Sequence, residues 1–275
     1  MDGFWSLLFT NHLASEIDNE ERMDMLFHVN SKLSRRMISP NMVSSRELLS
    51  HRDMLKTMQT SEKSYPDREF IPLPDVRPIS IPLGMALRER RSRLMDTVGD
   101  VTVEQLSQLL WAGNGLTGDD RFYRTAPSGG ALYPCELYVI SRHSSLKAGI
   151  YHYRSLQHGV EYLDSKFDWA SLFVPGTEPK GASLLIVTTA VFQRSFFKYG
   201  ERSYRFILLE AGAIAQNIAL AACDMNLGVL PHGGYSDVEV ERQLQIDGID
   251  ESVVHVVAVG GNKTGRESNE PRNSI

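Results

Sequence analysis

Cysteine is scarce in this chain of 275 residues: Cys135 and Cys223 are the only two. Two distant thiols with no CxxC support neither a disulfide framework nor a cysteine-based zinc site, and fit free thiols in a reducing compartment. Charge of one sign is also in short supply. The chain has 29 Lys and Arg against 34 Asp and Glu, a formal net charge of −5 and a pI near 5.9. Such a balance gives no overall pull toward nucleic acid or anionic membrane, so any basic patch must be local. Long apolar runs are missing too. The stretch 184–192 is short, and 206–222 is interrupted by Glu210, Gln216 and Asn217, so neither meets the roughly 20 residues of a membrane span. The start, Met1 to Phe9, is partly apolar but has no basic n-region or small-residue cleavage site, and reads as a docking helix rather than a signal peptide. These absences predict a cytoplasmic protein with no membrane or nucleic-acid partner.

Catalytic spellings of other classes are missing as well. His143, His152, His158, His232 and His255 show no HExxH or other ligand spacing, so no metal is assigned. No GxSxG supports a hydrolase. Asn262-Lys263-Thr264 is a glycosylation sequon in spelling only. No internal repeat is visible.

What remains is an ordinary globular composition, 42% hydrophobic and 23% charged, in a chain long enough to bury roughly 70–75% of its unfolded surface without a staple. Residues 1–75 are charge-rich and glycine-poor, with helical apolar spacing at Met23, Leu26 and Phe27 and at Leu48, Leu49, Met54 and Leu55. They end in a stretch punctuated by Pro66, Pro72, Pro74, Pro78 and Pro82, which predicts extended surface chain and a boundary near 76. Residues 76–275 then read as helices over 82–91, 103–112 and 204–226 and strands over 136–141, 150–153, 183–191 and 253–260. Gly228 suits the left-handed residue that ends a helix. Strand-helix units do not recur at a fixed length, which predicts α+β rather than a doubly wound parallel sheet.

Six motifs stand out. Gly113-Asn114-Gly115-Leu116-Thr117-Gly118 spells GxGxxG, but it follows a helix instead of opening one, so it reads as a cap and turn rather than a dinucleotide fingerprint. Arg88, Arg90, Arg91, Ser92 and Arg93 form either a solvated helix end or an anion site, since the arginine fork binds phosphate in two places. Pro127-Ser128-Gly129-Gly130 and His232-Gly233-Gly234 are turns whose backbone NH groups can approach a flat ligand closely. Lys198-Tyr199 is either an exposed lysine beside a packing tyrosine or a proton-handling pair, its lysine tuned by burial or by Arg194, Arg202 and Arg205. A face of Ala211, Ala215, Ala219 and Ala222 lets another helix approach closely.

The order of these segments resembles the SagB/McbC-type azoline dehydrogenases of the nitroreductase superfamily. The segments are RRS, RTAPSGGALYP-ELYV, GIYHY, FKYGERSYRFILLEAGAIAQNIALAA, LG-PHGG and VVAVGG, over about residues 80–261, with an N-terminal echo at 27–33. The resemblance implies an α+β nitroreductase-like fold with a central, mainly antiparallel sheet flanked by helices, in a homodimer with FMN at the interface and the alanine face as a dimer contact. It implies that Arg90, Arg91 and Ser92 serve the FMN phosphate and ribityl chain. Pro127, Ser128, Gly129 and Gly130 would lie against the isoalloxazine from the other subunit, and Gly233 and Gly234 would cover it. Leu94 departs from the basic residue common in the broader superfamily, and Lys263 is the candidate replacement cation. Lys198 and Tyr199 would be catalytic, removing a proton while FMN takes a hydride as a thiazoline or oxazoline ring of a ribosomally made peptide becomes aromatic. A cyclodehydratase would be the partner that makes those rings. Alternatives are an NAD(P)H-dependent nitro or quinone reductase and a non-catalytic scaffold subunit of a peptide-modifying complex.

Overall fold

A computed structural model of the chain describes residues 23–32, 61–94, 99–118 and 123–261. In chain order the described elements begin with α1 (Met23–Asn30), β1 (Glu69–Pro72), α2 (Leu83–Glu89), α3 (Val103–Asn114), β2 (Leu116–Thr117) and β3 (Tyr123–Arg124). They continue with β4 (Cys135–Ser141), β5 (Gly149–Arg154), β6 (Gly159–Asp164) and β7 (Leu184–Val191). The last are α4 (Gln193–Tyr199), α5 (Ser203–Asp224), β8 (Gly228–His232), α6 (Asp237–Leu244) and β9 (Glu251–Gly260). The expected helix around Leu48–Leu55, the Met1–Phe9 segment and Lys263 lie outside the described residues.

Seven strands form one sheet in the order β1-β6-β5-β4-β7-β9-β8, and every pairing in it is antiparallel. The α+β reading therefore holds. The central strands are apolar on both faces because both faces are covered. Leu137 and Val139 of β4, Leu184 and Ile186 of β7, and Val257 and Val259 of β9 point to one side, where α3 and α5 pack on them. Tyr138, Ile140, Leu185, Val187, Val256 and Ala258 point to the other, under Leu172, Phe173 and α6.

Local chemistry sets the helix ends. Thr102 Oγ1 accepts the Gln105 N–H at 3.2 Å while Thr102 N–H donates to Gln105 Oε1 at 2.9 Å, a reciprocal cap that starts α3. The GxGxxG glycines end that helix: Gly113 lies inside it against Ile214 and Ile218, Gly115 caps it, and Gly118 turns the chain with φ 82°.

Three expectations need correction. The composition break near 76 is not a break in the sheet, because β1 from the proline-rich stretch is its edge strand, a place that tolerates Pro72. The left-handed residue after α5 is Asn226 (φ 53°), while Gly228 opens β8 opposite Gly260. The alanine face of α5 is buried in this chain's own core against α3, so it is not a free face for a second copy.

Within the helical run Gln193–Asp224 an 18-residue window is apolar enough by composition to cross a membrane, with mean hydropathy 1.7, yet half of that window is buried inside the fold.

Candidate functional site

The sheet register brings the Pro-Ser-Gly-Gly turn to the Lys-Tyr pair. Cys135, which opens β4, pairs with Ala190 near the end of β7, and Val191 N–H donates to Pro134 O at 2.9 Å. The turn before β4 and the helix after β7 must therefore leave the sheet at the same end. There a Cβ added to Gly130 would lie 2.5 Å from Tyr199 Oη and 2.6 Å from Lys198 Nζ. Lys198 Nζ sits 5.1 Å from the centre of the Tyr199 ring, whose edge meets Phe206 at 4.9 Å. Gly129 approaches the same Phe206. Turn, pair and the start of α5 thus form one compact group.

Strain and bracing mark this turn. Gly130, Ala131 and Tyr133 have φ of 69°, 54° and 46°, and left-handed conformations at Ala and Tyr survive only where the surroundings enforce them. Ser128 Oγ accepts the Tyr133 N–H at 3.0 Å, and Tyr133 Oη accepts the Arg124 N–H at 3.1 Å. Arg194 of α4 donates to Tyr133 O at 3.3 Å and pairs with Glu136 Oε1 at 2.6 Å. Arg194 stands one helical turn before Lys198, so it ties the helix that carries the pair to the far end of the turn.

Glu136 belongs to a buried ionic chain. His152 is fully buried between two carboxylates, with Nε2 3.1 Å from Glu136 and Nδ1 3.0 Å from Glu161. Burial alone would lower the imidazole pKa, but bonding to both carboxylates outweighs it and raises the value, which favours the protonated ring. Burial likewise opposes ionisation of Glu136, yet the His152 hydrogen bond and the Arg194 charge hold its carboxyl at about 2. Arg154 continues the chain from Glu161 at 2.6 Å to Glu62 at 2.8 Å.

On the other face of the sheet, buried Glu210 of α5 lies under the turn. Its Oε1 accepts the Cys135 N–H at 3.5 Å, the Ser128 hydroxyl lies against its carboxyl, and its Oε2 has no hydrogen-bond partner among the described residues. Burial pushes this carboxyl up to about 7, against the pull of Ser128, Cys135 and Arg124. The Cys135 thiol is pushed well above its ordinary value, first by burial and then by Glu210.

A second group lies along β8. Arg93 N–H donates to Val229 O at 2.9 Å, which pins the arginine cluster beside the start of that strand. Arg90 Nη1 donates to Ser92 Oγ at 3.2 Å, and Arg91 and Ser92 are exposed. Gly233-Gly234 follows the strand's other end: a Cβ on Gly233 would meet open space, while Gly234 is closed off by Thr177. Strands β7 and β8 both run antiparallel to β9, so Gly233-Gly234 leaves the sheet toward the same end as α4. Leu94 packs into the core, in keeping with a position that cannot meet phosphate.

The sequence reading missed Arg194–Glu136–His152 and Glu210. The signal was there in charged residues inside apolar strands and helices, where burial demands partners. It also offered Arg194, Arg202 and Arg205 as charges that would tune Lys198, whereas each guanidinium is engaged elsewhere: Arg194 with Glu136, and the other two with residues 28–31.

Residues 87–261 match the family described as Nitroreductase family, more than half of the chain. The chain belongs to the nitroreductase family. It is 33% identical over 184 residues to MJ1384 of Methanocaldococcus jannaschii, a protein named for the nitroreductases, covering 66% of this chain and 91% of that one. It is 32% identical over 133 residues to the microcin B17-processing protein McbC of Escherichia coli, covering 45% of this chain and 49% of McbC. In three dimensions it resembles a chain of the E. coli microcin synthetase McbBCD complex with truncated pro-MccB17 bound, with TM-score 0.58 at 22% identity, covering 91% of this chain and 96% of that chain. Nitroreductase-family membership makes the chain an oxidoreductase.

Proposed function

We propose that this nitroreductase-family protein is an FMN-dependent dehydrogenase that oxidises thiazoline or oxazoline rings of a ribosomally made peptide to thiazoles or oxazoles. The observation that carries the reading is the convergence of Lys198 and Tyr199 on Gly130. The likeness to a microcin-processing protein supports a peptide substrate, and the reading requires a cyclodehydratase as the partner that forms its rings.

The residues fit FMN. Arg90, Arg91 and Ser92 offer an exposed cationic and hydroxyl end for a phosphate, with Lys263 as a further candidate cation outside the described residues. Gly233-Gly234 offers backbone with open space over Gly233, and Pro127, Ser128, Gly129 and Gly130 a second glycine turn, braced on its packed side by Phe206, Lys198 and Tyr199. The two groups suit a homodimer in which each subunit contributes one of them to a shared site.

Aromatising an azoline removes one hydrogen from carbon as a hydride and another as a proton. FMN, when bound, supplies the two-electron acceptor for the hydride. Lys198 Nζ or Tyr199 Oη takes the proton. The strained turn and Arg194 hold these atoms in place before substrate arrives, so little ordering is left for the reacting complex.

The test uses full-length protein and an azoline-containing peptide. Wild type reconstituted with FMN should turn yellow and remove two hydrogens per ring, read as a 2 Da mass loss set by the stoichiometry. Lys198→Ala should retain the flavin and lose the activity. Full activity in that variant would remove Lys198 from the chemistry. Rapid bleaching by NAD(P)H with turnover of quinones, and no peptide oxidation, would assign a small-molecule reductase instead. A colourless protein that FMN cannot reconstitute would leave a scaffold role.

A further inference from the structure

Residues 23–32 have no part in the chemistry described so far, yet they are seated on the corner that follows the Lys198–Tyr199 pair. The end of α1 presents its carbonyls to two arginines just beyond that pair. His28 O accepts from Arg205 Nη2 at 2.7 Å, Ser31 O accepts from Arg202 Nη1 at 3.0 Å, and Ser31 Oγ accepts from Arg205 Nε at 2.8 Å. Carbonyls at a helix C-terminus lack partners within the helix and carry the negative end of its dipole, so guanidinium donors suit them. Ser31 is buried by this contact.

The aromatic contacts extend the grip. The Arg205 guanidinium lies 5.7 Å from the Phe27 ring centre, and Phe27 meets Tyr204 edge-on at 5.3 Å. Tyr204 in turn stacks on Phe192 at 5.8 Å with an interplanar angle of 11°. Phe192 stands just before α4, and Tyr204 stands just after the turn that ends it.

Between them lies Gly200, with φ 54° and ψ −143°, a conformation that glycine enters readily and other residues do not. A Cβ there would meet nothing within 4 Å, so no neighbouring side chain packs on the corner at that point. The row Phe192–Tyr204–Phe27 bridges the two sides of this permissive joint, and Arg202 and Arg205 fasten the row to α1.

We propose that Phe27, His28 and Ser31 are positioning residues that lock the Gly200 corner and so hold Lys198 and Tyr199 against Gly130. Residues 23–32 then belong to the catalytic unit instead of being an accessory. The proposal rests on the reading of Lys198 and Tyr199 as the reacting pair, and its test separates the two ideas.

Hydrogen exchange on the full-length Phe27→Ala and Ser31→Ala variants, without substrate, reads the lock directly. Exchange should quicken across 193–206 while β4 and β7 keep their protection. Steady-state oxidation of an azoline peptide by the FMN-loaded variants should show kcat reduced about tenfold or more with KM retained, and Phe27→Tyr, which keeps the ring, should recover most of it. Unchanged exchange at 193–206 would overturn the proposal, as would faster exchange spread evenly over the sheet or a loss carried by KM. If Phe27→Ala does not fold, Arg205→Lys removes the fork while keeping the charge and should give the same local exchange. Failure of wild type to oxidise azolines would sink the proposed function, whereas the exchange result would still decide the lock.

Discussion

Gly130 stands so close to Lys198 that a single added methyl carbon would fall 2.6 Å from its Nζ atom. Both groups it would strike, Lys198 Nζ and Tyr199 Oη, are the ends of side chains that can move. Gly130→Ala should therefore displace the pair rather than unfold the protein. The positive φ adds a stability cost of about 1 kcal/mol. Expected is a small drop in melting temperature beside a large loss of the proposed azoline oxidation, measured by thermal melts and peptide mass on the same preparation.

Arg194→Met should cost more stability than a surface substitution. It leaves Glu136 buried, still bonded to His152 and the Lys63 N–H but without its guanidinium partner. Breaking one side of a buried pair costs about 3 kcal/mol. Adding Glu136→Gln to Arg194→Met should then cost less than the sum of the two single changes, because the second change removes the stranded charge. Urea unfolding of the four proteins measures that coupling.

Stability should decline as pH rises through neutrality. Glu210 keeps its proton in the fold up to about 7, while in the unfolded chain it loses it near 4.5. Between those values the folded state binds the extra proton, so stability falls with rising pH and levels off above 7. His152 acts in the same direction: its raised folded value gives stability that is full below the ordinary histidine range and lost as pH climbs past the folded one. Glu210→Gln should remove the first contribution, of order 3 kcal/mol between pH 5 and 8. Urea melts of wild type and Glu210→Gln would show the same fall in stability between the two pH values if Glu210 does not hold the proton.

Asp224→Ala should free the segment before α2. Asp224 Oδ1 accepts from Ser80 N–H at 3.1 Å, Ser80 Oγ at 2.8 Å and Ile81 N–H at 2.8 Å, tying the end of α5 to the proline-rich stretch. Loss of these bonds should cost about 2 kcal/mol and expose 77–82 to proteolysis, read by limited digestion.

Elements with strong patterning were legible in the sequence. The apolar run of β7, the capped amphipathic α3 and the long α5 all appear within a few residues of their expected bounds. Others were not. β8 carries Gly228 and Pro231 in five residues, β6 is half polar, and α4 and α6 are short, so local preference is weak and long-range pairing decides them. The motif segments were visible as spellings, but not the charged residues that brace them.

The sequence by itself determined a mildly acidic, cysteine-poor oxidoreductase chain of α+β type, through composition, turn chemistry and the order of its motifs. Only the tertiary structure decided which motifs meet. The pairing of Cys135 with Ala190 brings Gly130 to Lys198, and the docking of α1 brings residues 27–31 to Arg202 and Arg205. These meetings depend on burying both faces of one sheet at once, a condition that acts across the whole chain and leaves no local mark at the residues it joins.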